Sequence, residues 1–161
     1  MVFSLFIALL SANVMEKVHA EVGIAAINES GDNIRLDIYS INQIPIAVVQ
    51  FEIQPDNLFK IDSISGGICS EVGFSLYSNE KGLLLGFSLQ GKQIPKSTSL
   101  KINENILFSV YGKRNKDFIN QEITLKTTLA GRKGNKVNTK VNKYIYTSKN
   151  KHFKEKTMRT E

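Results

Sequence analysis

The sequence predicts an all-β fold, an antiparallel β-sandwich of the jelly-roll kind with about nine strands. Three observations predict it. Apolar and polar residues alternate in segment after segment, the period of a strand with one buried face. Turn-forming residues separate these segments at intervals of roughly 8 to 14 residues. Beyond the N-terminal apolar stretch no segment sustains a helical period, so there are no crossover helices of the sort a parallel sheet requires.

The first segment is a targeting signal rather than a strand. Residues 2–10 are almost unbroken apolar sequence. Even extended to Met15 the run is shorter than the roughly 20 residues a helix needs to cross a bilayer. Val18, His19 and Ala20 then set modest side chains before a cut, so residues 1–20 read as a signal peptide and Glu21 as the first mature residue. An uncleaved anchor is the alternative. With cleavage the chain has no membrane span and is secreted, periplasmic or on the cell surface.

Residues 21–147 follow as one domain, long enough for one proper core and too short for two. Strands are predicted over residues 22–28, around Ile34, Leu36 and Ile38, and around Val49, Phe51 and Ile53, the last stopped by Pro55, Asp56 and Asn57. Residues 58–64 and 73–79 are weaker. Leu83, Leu85, Phe87 and Leu89 form the next apolar set, followed by Ile106, Phe108 and Val110, then Ile123, Leu125, Thr127 and Leu129, and finally residues 136–147. The clearest turns are Ser30-Gly31-Asp32-Asn33, Asn79-Glu80-Lys81-Gly82 and Gly131-Arg132-Lys133-Gly134.

The formal charge of +6 is unevenly spread. From Gly131 onward the chain carries net +8, and the preceding part net −2. Residues 148–161 (SKNKHFKEKTMRTE) have little to bury and read as a basic disordered tail. A nearly neutral body behind an export signal argues against nucleic acid as a partner. Cys69 is the only cysteine, so no intrachain disulfide forms, and a lone thiol of this kind is expected to be buried and inert.

Between Ile46 and Gly112 the order of segments resembles the cohesin-like domains. The resemblance is carried by residues 47–53 (AVVQFEI), Ser65-Gly66-Gly67, residues 72–79 (VGFSLYSN), residues 86–95 (GFSLQGKQIP) and residues 106–112 (ILFSVYG). The phrase GFSLQGKQIP is the most diagnostic, with Gly91 ending a strand and Pro95 fixing an extended path into the next loop. The resemblance implies a nine-stranded jelly roll of the carbohydrate-binding-module and cohesin superfamily, non-catalytic, with binding on one sheet face and a dockerin on another protein as partner.

Catalytic chemistry is poorly provided for. His19 lies in the signal and His152 in the tail, which removes a His-based triad or a His-rich zinc site from the domain. Asp37, Glu52, Asp56, Asp62, Glu71 and Glu80 are spaced as solvated strand faces and turns rather than as a facing pair. Asp56 and Asn57, or Asp32 and Asn33, lack the dense acidic spacing of a calcium loop. No metal, cofactor or enzymatic activity is expected.

Alternation also assigns an outward set. Val48, Gln50 and Glu52 are predicted to project together, with Ser75 and Tyr77, and with Leu84, Ser88 and Gln90. An exposed Leu84 beside Tyr77 and Val48 would form an apolar patch with a polar rim, the anatomy of a protein interface. The resulting expectation is an exported binding module docking an extracellular protein, either dockerin-like or an envelope component. The alternative is a carbohydrate-binding module that grips polysaccharide. It is disfavoured by the absence of Trp and by only five Tyr, of which Tyr144 and Tyr146 share one face of the last strand.

Overall fold

A computed structural model of the chain describes residues 17–56, 58–115 and 120–147. Ten strands, one short α-helix and two single 3-10 turns are found among them, the strands and α-helix in the order β1 (Ala20–Ser30), β2 (Asn33–Asn42), β3 (Val48–Gln54), β4 (Phe59–Ser65), α1 (Gly67–Glu71), β5 (Ser75–Ser78), β6 (Leu83–Phe87), β7 (Ile106–Arg114), β8 (Gln121–Ala130), β9 (Thr139–Val141) and β10 (Tyr144–Tyr146). They form two five-stranded sheets. The first has the order β4-β7-β2-β1-β9 and the second β10-β8-β3-β6-β5. The predicted jelly-roll sandwich is the observed fold.

Its core lies between the sheets and is made by the in-phase residues of each strand. Leu36, Ile38, Phe108 and Val110 of the first sheet face Val49, Phe51, Ile123 and Leu129 of the second, each no more than 1% exposed. Phe51 and Phe108 meet across the middle at a ring-centroid distance of 6.0 Å and an angle of 58°, a tilted packing that suits the ring quadrupoles. Burying each such side chain contributes about 1.5 to 3 kcal/mol. The predicted turns also form. Gly31 takes φ 62° in the β1–β2 hairpin. Between β5 and β6, Asn79 Oδ1 accepts the N–H groups of Lys81 and Leu83 at 3.0 Å each.

Four expectations are corrected. The phase of β6 is inverted: Leu84 is fully buried, whereas Leu83, Leu85 and Phe87 are only partly so. Pairing decides this, because Leu84 lies opposite Phe51 and Gly86 opposite Val49, and directly opposed residues share a face. A Cβ on Gly86 would come within 2.9 Å of Val49 Cγ2 and 3.0 Å of Leu76 Cδ2, so glycine is what lets β5 and β3 close over the core there. The strand also stops at Phe87. Ser88–Gln90 turn away, Gly91 N–H returns to the Ser88 carbonyl, and Leu89, expected inside, is 79% exposed.

Residues 136–147, expected as one strand, form two strands in different sheets. β9 runs parallel to the start of β1, while β10 pairs with β8, so among the described residues one strand pair is parallel. Asn142 sits at the crossing and is held by Val22 O (2.8 Å), Glu21 Oε1 (2.6 Å) and the Tyr39 hydroxyl (2.7 Å). Finally, the Ser65-Gly66-Gly67 loop opens into α1, which covers Leu107. Leu107, out of phase with the predicted core set Ile106, Phe108 and Val110, is fully buried. A Cβ on Gly67 would stand 2.5 Å from Leu107 O, which measures how closely the helix sits on β7.

Residues 1–16 of the predicted signal and the whole predicted tail, residues 148–161, lie outside the described residues. Ala20, the predicted processing point, is the first residue of β1 and is 1% exposed. No helix among the described residues is long and apolar enough to cross a membrane.

Candidate functional site: the outer face of the second sheet

On β3 the residues between the core positions Val49, Phe51 and Ile53 are Val48, Gln50 and Glu52, all half-buried. Register carries the same face across the sheet. Val48 lies opposite Phe87 on β6, Gln50 opposite Leu85 and Glu52 opposite Leu83. Beyond β6, Phe87 lies opposite Ser75 and Leu85 opposite Tyr77 on the edge strand β5. On the other side Gln50 faces Thr128 and Glu52 faces Lys126 of β8.

The face therefore divides in two. Along β6 and β5 it is apolar: Leu83, Leu85 and Phe87, with Tyr77 53% exposed and stacked on Phe87 at 5.7 Å and 18°. Along β3 and β8 it is polar, with Lys126 Nζ 3.0 Å from Glu52 Oε2. A contiguous apolar strip with a polar margin is the composition of a protein-binding surface.

Of the eight residues predicted to project outward, Val48, Gln50, Glu52, Ser75 and Tyr77 are brought together here. Ser88 and Gln90 are not on the face. They lie in the turn after β6, where Ser88 Oγ bonds Gln90 Oε1 at 3.2 Å. Leu84 is in the core. Leu83, Leu85 and Phe87 were missed as surface residues because three consecutive leucines hide the alternation. The available signal was Gly86, whose missing side chain suits a tightly packed interior position better than an exposed strand.

Other candidate groups are accounted for. Burial pushes the Cys69 thiol up to about 12, so it stays protonated and unreactive. Asp56 Oδ1 accepts Gln54 Nε2 at 2.7 Å, and its neighbour Asn57 lies outside the described residues. Among the described residues no three His, Cys, Asp or Glu side chains converge as a metal site. Tyr146 is 3% exposed, with its hydroxyl bonded to Glu29, and Tyr144 is half-buried against the core. The tyrosines considered for sugar stacking therefore serve the interior instead.

No protein-family model matches the chain, and no curated protein matches it. Solved structures do. A chain of the CaDoc0917–CaCohA2 complex superposes with a TM-score of 0.54 at 11% identity, covering 80% of this chain and 99% of that one. The third ScaB cohesin of R. flavefaciens, solved with a group 1 dockerin, gives 0.52 at 13% identity, over 76% of this chain and 89% of that one. A non-cellulosomal cohesin from the hyperthermophilic archaeon Archaeoglobus fulgidus gives 0.52 at 13% identity, over 83% and 94%. The fold is cohesin-like.

Proposed function

We propose that the chain is a non-catalytic, exported docking module that captures a dockerin-like protein on the outer face of its second sheet. The observation that carries this reading is the outward strip Leu83, Leu85, Phe87 and Tyr77, bordered by Val48, Gln50 and the Glu52–Lys126 pair. Likeness of fold to a cohesin solved with a dockerin supports the class of partner. Export rests on the apolar start of the sequence and the Val18-His19-Ala20 site. The absence of catalysis rests on the lack of a histidine or a facing carboxylate pair in the body of the sequence. Polysaccharide is the weaker reading for this face, because Tyr144 and Tyr146 are turned to the core and only Tyr77 and Phe87 remain as aromatic surface.

Leu85→Asp tests the proposal, with Leu84→Asp beside it. Residue 85 is at the centre of the strip, so its carboxylate would be hydrated in the free domain and stranded without water in the complex. The parent chain, immobilised on a biosensor, is expected to bind one or more dockerin-bearing proteins encoded in the same genome. Leu85→Asp is expected to weaken that binding at least 100-fold, about 2.7 kcal/mol, with a melting temperature within a few degrees of the parent. Leu84→Asp places a charge at a fully buried position and is expected to abolish cooperative melting. Undiminished binding by a folded Leu85→Asp chain, or no dockerin bound by the parent, overturns the proposal.

A further inference from the structure

The two ends of the sandwich differ in charge and in what their connections expose. One end gathers residues 43–47, 66–74, 88–105 and 131–138, which join strands whose termini lie side by side. Asn42 of β2 is next to Ala20 of β1, and Ala130 of β8 and Phe87 of β6 are both next to Val48 of β3. These connections hold six exposed basic residues, Lys92, Lys96, Lys101, Arg132, Lys133 and Lys136, against two acidic ones, Glu71 and Glu104, which leaves net +4. Of the six, only Lys101 is ion-paired among the described residues, with Glu104 at 2.8 Å. The described connections of the other end, residues 31–32, 55–56, 58 and 79–82, hold Asp32, Asp56 and Glu80 against Lys81 alone.

The basic end also exposes apolar side chains, and it does so on a fixed frame. Residues 88–105 cross it from β6 to β7. Ile94 and Ile46 exchange backbone bonds of 3.0 and 2.8 Å, and Ser97 N–H bonds the Asn42 carbonyl at 2.9 Å. Asn105, 3% exposed, donates its side-chain amide to the Ser99 and Lys101 carbonyls at 2.9 and 2.7 Å. Leu100 stands between those two anchored carbonyls and is 84% exposed, while Leu89 and Ile102 in the same segment are exposed as well. A leucine on a loop tethered from beneath does not fold down onto the core, so its exposure is set by the framework. Among the described residues, the connections of the other end expose no large apolar side chain.

We infer that the basic end binds the surface of a bilayer carrying anionic phospholipid. Its unmatched cations would lie against the headgroups, and Leu89 and Leu100 would reach the acyl boundary. Cations alone suit any polyanion, but a soluble polymer would leave the two leucines in water, where a bilayer removes them from it. A folded protein partner calls for a continuous apolar centre, whereas here Lys92 and Lys96 fall between Leu89 and Leu100, and Lys101 follows at once. The start of the chain approaches from the same end, where His19 N–H bonds the Asn138 carbonyl at 2.9 Å. The apolar residues 2–15 therefore join the domain on the side that the cations occupy. The docking strip of β5 and β6 lies on a side wall of the sandwich and stays open to a partner when the end rests on a membrane.

The experiment is co-sedimentation of the chain recovered after export with two kinds of vesicle, phosphatidylcholine alone and phosphatidylcholine mixed equally with phosphatidylglycerol, at low and moderate salt. The mixed vesicles are expected to bind the chain, with affinity falling as salt rises. Lys96→Gln combined with Arg132→Gln, and Leu89→Ser combined with Leu100→Ser, are each expected to weaken binding at least ten-fold while melting like the parent. Equal binding to both kinds of vesicle, binding to neither, or undiminished binding by either folded double variant overturns the inference. Undiminished binding by the leucine variant would assign the affinity to a general attraction for polyanions.

Discussion

The outer surfaces of the two sheets arise from the same strand alternation and end with different chemistry. On the second sheet the outward positions of β6 are Leu83, Leu85 and Phe87, and its cross-strand ion pair, Glu52 with Lys126, lies at the margin with side chains 32% and 69% exposed. On the first sheet the outward positions of β2 and β7 include Arg35, Asp37, Ser109 and Tyr111, and the ion pair lies at the centre with Asp37 nearly buried. Half-buried apolar surface without charge suits a partner that removes the remaining water. The central charges of the first sheet are satisfied within it, Arg35 by Asp37 and Asp37 by Arg35 and Ser109. The difference teaches that an outward position is defined by what lies over and beside it as much as by its place in the strand. α1 shields one end of the first sheet's face, and no comparable element among the described residues shields β6.

The largest test of this contrast is steric. A Cβ at Gly112 on β7 would land on the Lys60 carbonyl oxygen, part of the backbone of the neighbouring strand, whereas at Gly86 on β6 it would meet only the ends of Val49 and Leu76 side chains. Gly112→Ala is therefore expected to cost more than about 3 kcal/mol, and Gly86→Ala about 1 to 2 kcal/mol, read from urea midpoints. Equal costs would mean that the first sheet is as compliant as the second.

Next in size is the shield itself. With the Cys69 thiol pushed up from 9.0 to about 12, the folded chain keeps its proton where the unfolded chain has lost it. The stabilisation is fully present below pH 9 and declines as pH rises toward 12. Between pH 8 and 10.5 the loss attributable to this group is about 2 kcal/mol, measured as the difference between the parent and Cys69→Ala. A flat difference would show that α1 does not keep water from the thiol.

The two ion pairs give the finer comparisons. Asp37→Ala leaves the Ser109 hydroxyl without its acceptor and Arg35 Nε with only the longer bond to Ser109 Oγ, and is expected to destabilise by about 1 to 2 kcal/mol. Lys126→Ala removes an exposed partner and is expected to change stability by no more than about 0.5 kcal/mol. Thermal melts of both, at low and high salt, would show a salt dependence that is larger for the Lys126 pair.

Most of the sandwich was legible in the sequence because alternation and turn residues are local signals. β2, β3 and β8 have the predicted phase, and the Ser30–Asn33 and Asn79–Gly82 turns form where expected. Half of the candidate face followed from the same signal, through Val48, Gln50, Glu52 and Tyr77. What failed was set by non-local packing. In Leu83-Leu84-Leu85 the apolar content is the same in either phase, and only pairing with Phe51 selects Leu84 for the core. Burial of Leu107 depends on α1, a helix of five residues that is too short to leave a period in the sequence. The split of residues 136–147 depends on contacts of Asn142 with Val22, Glu21 and Tyr39, more than a hundred positions earlier in the chain.

That split has a mechanical consequence. β9 lies parallel to β1, from Ala20 beside Thr139 to Val22 beside Val141, and the chain then continues in the same direction to Tyr146, whose hydroxyl reaches Glu29 near the far end of β1. Tension applied at His19 and Thr147 would pull β1 and the closing segment in opposite directions along their common axis. The bonds between them, including Ala20 N–H to Asn138 O at 3.1 Å and Asn142 N–H to Val22 O at 2.8 Å, would be loaded in shear and share the force rather than open one after another. A domain fastened this way resists stretching between its ends better than peeling from either one.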